Sequence, residues 1–261
     1  MKILKAISII LIIAFLAIGC GSSGDGSGNN GGGGNALTES PQGVWHGTIY
    51  SYVTELEYNV LGIVSENNVL HIINVDTGIF YTGIVDGSGN KADFTVTSYT
   101  SDGSVQYVHM TGTKAISVQI TGTITPRYIL LFKYNMNGDN GTLTLKYNKA
   151  YERHSSLSTI DDVWTMLSGS DMLTIGNQGN MTGNFNFIAT GCLQSGKVSI
   201  INSLYGVYLF NIDVSDCGAW NGAYSGLGFV GDYNVPNVPN DSLFYSISNS
   251  SNAIFVGYAR L

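Results

Sequence analysis

From Leu37 onward the chain alternates apolar and polar residues in short runs of period two, with hardly any helical periodicity. Leu143, Leu145 and Tyr147 alternate with Thr142, Thr144 and Lys146. Phe185 and Phe187 alternate with Asn184 and Asn186, and Tyr208, Phe210, Ile212 and Val214 with Leu209, Asn211 and Asp213. Successive side chains of a strand point to opposite faces, so each run presents one apolar and one polar face. Turn signals separate the runs at Glu66-Asn67-Asn68, Asp76-Thr77-Gly78, Asp86–Asn90, Ser101-Asp102-Gly103, Asn137–Gly141, Gln178-Gly179 and Asn249–Asn252. Closely spaced strands with polar outer faces read as antiparallel meanders, and the expected class is all-β.

The pattern divides into two halves, 37–153 and 154–261. Gly43-Val44-Trp45 opens the first and Asp162-Val163-Trp164 the second. Each Trp is followed by a strand–turn–strand unit that ends in Thr-Gly: Ile72–Val75 with Phe80–Gly83, and Leu173–Asn177 with Met181–Gly183. Eight strands joined by short turns need about 80–110 residues, and each half has that room. The expected architecture is two small antiparallel meander barrels; the alternative is one elongated β sandwich.

Ahead of this body the pattern changes. Residues 1–19 carry Lys2 and Lys5, then an apolar run from Ala6 to Ile18 broken only by Ser8. The run is shorter than a membrane span and small residues follow it, as in a cleavable signal peptide. Residues 20–36 begin with Cys20 and continue in Gly, Ser and Asn, a composition that cannot bury enough surface to fold and acts as a flexible tether. Ala17-Ile18-Gly19-Cys20 resembles the lipobox of bacterial lipoproteins. The resemblance implies that Cys20 receives diacylglycerol and a further acyl chain such as palmitate, and becomes the first residue. Ala17 stands where Leu is usual. Gly21, rather than Asp, follows the Cys, which implies the outer membrane in a Gram-negative cell. An ordinary secretory peptide is the alternative.

Composition narrows the partners. Charged residues make up only 11% and the net charge is −7, which becomes −9 when a leader bearing Lys2 and Lys5 is removed. No Lys/Arg cluster offers a footprint for nucleic acid, and a protein partner would be basic. Cys192 and Cys217 remain after Cys20 is committed to lipid. Export exposes them to oxidising conditions, and a hairpin turning near Ser203–Tyr205 would bring them nearly opposite, so a disulfide is expected.

Gly43-Val44-Trp45 also resembles the Gly-x-Trp of the first strand of calycin barrels, the group that holds lipocalins and small inhibitor lipoproteins. In that group an Arg from the last strand often packs over the Trp. The resemblance implies pairs Trp45/Arg153 and Trp164/Arg260, although Asp162 replaces the Gly in the second half and no middle lipocalin motif is present.

The motifs that carry chemistry do not complete themselves. Asp76-Thr77-Gly78 has no second Asp-Thr/Ser-Gly to share a proton with, and reads as a turn. Asp86–Asn90 starts like a calcium loop, but Lys91 and Thr97 stand where glycine and the closing carboxylate belong. His46, His71, His109 and His154 are scattered. No catalytic residue, metal ligand or cofactor is therefore assigned, and the chain is read as a non-enzyme. The expected function is a cell-envelope lipoprotein, anchored to the membrane, that binds or supports through loop surfaces. Trp220 and Tyr233, in the irregular segments Asp216–Asn221 and Gly231–Asp241, are the candidate surface-binding residues. Inhibition of a lysozyme or protease, and carriage of a small hydrophobic ligand, are the alternatives.

Overall fold

The protein is described from a computed structural model covering residues 41–261, apart from 89–90, 107–108, 126, 137–138, 168 and 233–240. Cys20, the tether and Tyr233 lie outside the described residues. The described chain belongs to one compact unit, Leu37–Leu261.

Among the described residues sixteen strands follow in order. The first half holds β1 (Gly43–Ser51), β2 (Glu57–Val64), β3 (Val69–Asn74), β4 (Ile79–Ser88), β5 (Lys91–Gln106), β6 (His109–Thr125), β7 (Ile129–Met136) and β8 (Asp139–Asn148). The second holds β9 (Asp162–Met166), β10 (Met172–Ile175), β11 (Asn180–Asn184), β12 (Leu193–Ile200), β13 (Val207–Ser215), β14 (Gly222–Gly231), β15 (Ser242–Ser248) and β16 (Asn252–Arg260). A short helical turn, α1 (Leu157–Ile160), precedes β9, with the Ser156 hydroxyl accepting the Thr159 N–H at its start.

The fold is all-β and contains a closed eight-stranded antiparallel barrel. Strands β9 to β16 pair each with the next, and β16 returns to β9. In the first half β1 to β8 also pair in sequence, and β8 returns to β1. The expectation of two separate barrels requires correction. All sixteen strands form one hydrogen-bonded sheet, because residues 252–256 of β16 pair with 109–113 of β6 while 258–260 pair with β9. The alternative of one elongated β sandwich gives way to a closed barrel, since β9 to β16 pair in sequence and β16 returns to β9.

The core has three parts. Inward-facing residues of the first half, among them Trp45, Phe94 and Phe132, form one cluster. Trp164, Phe210 and Tyr245 belong to a second, inside the β9–β16 circuit. The third lies on outward faces: Val44, Ile63, Ile73 and Phe80 of the first half pack with Phe229, Phe244 and Phe255 of the second. That third cluster explains why β14, β15 and β16 are buried on both faces over most of their length. Removing both faces from water demands near-continuous apolar runs such as Ala253–Val256, in place of alternation.

Close approach at the β1–β8 closure depends on Gly47. A Cβ there would stand 1.9 Å from the Thr144 carbonyl oxygen. Any side chain would push the two strands apart, which is the reason for glycine at a tight barrel bend.

Candidate functional site

The two tryptophans that open the halves sit in matching surroundings. Both are fully buried, and each indole N–H donates 3.0 Å to the carbonyl four residues earlier, Pro41 for Trp45 and Ile160 for Trp164. In register, Trp164 faces Arg260 on β16, whose guanidinium lies 4.7 Å above the indole. Arg260 also donates to the Thr159 carbonyl and pairs with Asp162 at 3.2 Å. The first half departs from the expected Trp45/Arg153 pair. The register partner of Trp45 is Tyr147 on β8, packed edge-on at 5.3 Å, and Arg153 instead forms a two-pronged ion pair with Asp232. Arg153 follows the end of β8 and so misses the position across from the Trp; spacing along the chain could not reveal that without the register.

Cys192 and Cys217 form the expected disulfide, with a Cα–Cα distance of 4.6 Å. The β12–β13 ladder ends at Leu193 opposite Ser215, and a left-handed Asp216 (φ 59°) turns the chain so that Cys217 meets Cys192. Trp220 lies nearby, partly buried and packed against the second core cluster, while its carbonyl accepts the Tyr224 hydroxyl at 2.8 Å. Much of its ring is committed to packing. Asp76 is a turn residue, since the Asn74 side chain accepts the N–H groups of Asp76 and Thr77, and Gly78 adopts φ 71°. The Asp76 carboxylate takes the backbone N–H and side-chain amide of Asn59.

Inside the β9–β16 circuit a buried polar group is fully engaged. Gln194 accepts from Tyr245 at 2.6 Å and donates to Tyr258 at 2.8 Å. Burial pushes both phenols above their ordinary range, so both stay neutral, Tyr245 donating to Gln194 and Tyr258 accepting from it. With rings such as these packed inward, the interiors of both halves are occupied by their own side chains.

Open space lies elsewhere. A cleft of about 980 Å³ runs between the outer face of β8–β1–β2 and a wall of Phe229, Phe244 and Phe255. His46, Thr48, Glu57, Asn59 and Lys146 line the polar side. These side chains share one face because Lys146 and Leu61 flank His46 in register, Thr144 and Asn59 flank Thr48, and Glu57 pairs with Tyr50. Among the described residues, the side chains of His46, Glu57 and Lys146 make no hydrogen bond or ion pair, and all three residues are exposed. Along the chain His46 is one of four scattered histidines and nothing marks Glu57 or Lys146, because the cleft exists only once the second half covers part of the first. A smaller groove of about 590 Å³, with Lys91, Asp93 and Lys133 at its lip, lies over β5 to β8.

Among the described residues no three His, Cys, Asp or Glu side chains come together as a metal site would require, and no helix is long and apolar enough to cross a membrane. No protein-family model, curated protein or solved structure matches the chain at a significant level, so the fold and the cleft stand on their own geometry.

Proposed function

We propose that the chain is a bacterial lipoprotein, acylated at Cys20 and held at the outer membrane by its Gly/Ser/Asn tether, whose β unit is a non-enzymatic binding module. One observation carries the binding reading: the cleft beside Phe229, Phe244 and Phe255 is faced by three side chains, His46, Glu57 and Lys146, that have no partner among the described residues. A concave, partly apolar surface with a few convergent polar groups is the usual composition of a ligand site. Trp220 has a smaller part in this reading than its place in an irregular segment suggests, because it packs on the core.

We further read each eight-strand circuit as a small barrel of calycin-like kind. Support comes from the matched indole hydrogen bonds of Trp45 and Trp164 and from Arg260 stacked over Trp164. Tyr147 stands in for the arginine in the first half.

Two measurements test the proposal. Metabolic labelling with a clickable fatty acid should mark the wild type and leave the Cys20→Ala variant unmarked; an unmarked wild type would remove the anchor. A photo-crosslinking residue placed at Thr48, inside the cleft, should give a discrete adduct in intact cells, whereas one at the exposed Leu204 should not. Equal yields at the two positions, or none at Thr48, would overturn the cleft as the binding surface.

A further inference from the structure

The charge layout of the cleft identifies a class of ligand. Lys146 and His46 are side by side across the β8–β1 ladder. Glu57 lies opposite Tyr50, four residues farther along β1 from His46. At roughly 3.3 Å per residue, the basic and acidic ends are about 13 Å apart along the strands. Between them the same face carries Thr48 and Asn59, which supply a hydroxyl and, beside the amide N–H given to Asp76, a side-chain carbonyl. The opposite wall is formed by Phe229, Phe244 and Phe255, which are themselves at most 5% exposed.

We infer that the cleft takes a short extended peptide of about four residues, its terminal carboxylate toward Lys146 and His46 and its amine toward Glu57. This inference rests on the binding reading above and deepens it. Four extended residues span the same ~13 Å that separates the charges. Their backbone amides meet the Thr48 hydroxyl and the Asn59 side-chain carbonyl, and every second side chain turns away from the β8–β1–β2 face, as strand geometry requires. The three ionic groups are free to engage such a ligand, because among the described residues none is committed to a protein partner. A neutral glycan would use the hydroxyl and amide but would leave both charged ends unmatched. A fatty chain would meet rings that are already covered and would desolvate Lys146 and Glu57 without return.

The test is isothermal titration of the purified full-length protein in mild detergent with tetra-alanine in four forms: free, amidated at the carboxyl end, acetylated at the amine, and capped at both. Free tetra-alanine should bind tightest, and each cap should weaken binding about fivefold, the size of an exposed charge pair. Lys146→Gln should weaken the free peptide by the same factor while leaving the amidated peptide unchanged. Glu57→Gln should do the same for acetylation. Both positions are exposed, so neither change threatens folding. Equal binding of free and doubly capped peptide would overturn the inference, and so would binding of chitotetraose with none of tetra-alanine. An adduct at Thr48 together with either of those results leaves the cleft as a binding surface and removes only the peptide assignment.

Discussion

His71 on β3 is buried between the halves, with its Nδ1 3.0 Å from the Ser246 hydroxyl of β15. Its neighbours across the ladders are Ile63 and Thr82, neither of which titrates. Burial lowers its pKa from 6.5 to about 4. The unfolded chain therefore takes up a proton near pH 6.5 that the folded chain refuses until about pH 4. The contribution is fully present above the unfolded value and is lost as pH falls through this window, by up to about 3 kcal/mol. Urea unfolding at pH 7.5 and 4.5 should display the loss, and His71→Gln should flatten it; an equally steep fall in the variant would assign it to other groups. The two arginines make a contrasting pair. Arg260→Met removes the cation over Trp164 and the charged hydrogen bond to the Thr159 carbonyl, for a loss of about 1–2 kcal/mol. Arg153→Met breaks a half-exposed ion pair with Asp232 and should cost below about 1 kcal/mol. Denaturant midpoints compare the two, and equal losses would contradict the assignment of Arg260 to the barrel closure.

At the scale of elements, closure depends on a few local features. The disulfide ties the outer ends of β12 and β13 across a sequence separation of 25, and restricts the unfolded chain accordingly. Loop entropy puts its contribution at about 3 kcal/mol. Cys192→Ser with Cys217→Ser should lower the free energy of unfolding in urea by that amount, and reductant should lower the wild type to the same value. The β1–β8 seam depends on Gly47, where a methyl group would meet the Thr144 carbonyl at 1.9 Å. Gly47→Ala should destabilise by about 1–3 kcal/mol, as overpacking does. Hydrogen exchange should show the loss concentrated at β1 and β8; uniform exchange across the sheet would refute a local cause.

For the folded unit as a whole, the third cluster and the β16–β6 pairing decide cooperativity. Phe229, Phe244 and Phe255 are covered by residues such as Val44 and Ile63 of the first half. The isolated segment 154–261 would uncover them, leaving an apolar patch of the kind that drives association. Calorimetry of the full chain should give one transition, and segment 154–261 alone should self-associate in ultracentrifugation. Two independent transitions, or a monomeric stable segment, would mean that the halves fold as separate bodies.

Much of this was legible along the chain, for stated physical reasons. Period-two alternation at Tyr208–Val214 identifies strand and buried face together, since a strand in a barrel meets core on one side and water on the other. The turn at Asp76-Thr77-Gly78 and the approach of Cys192 to Cys217 are local consequences of hairpin geometry. The union of the halves is different. Its signal was present in the non-alternating runs Val69–Ile73 and Ala253–Val256, but a run of apolar residues says that both faces are covered without saying by what. Which arginine covers which tryptophan depended on register, and the cleft of His46, Glu57 and Lys146 depended on two faces more than 70 residues apart in sequence coming together. The sequence by itself determined strand, turn and disulfide, because those are set by neighbours in the chain. Tertiary packing alone decided the single sheet, the third cluster and the cleft, because each arises from surfaces that have no local reason to meet.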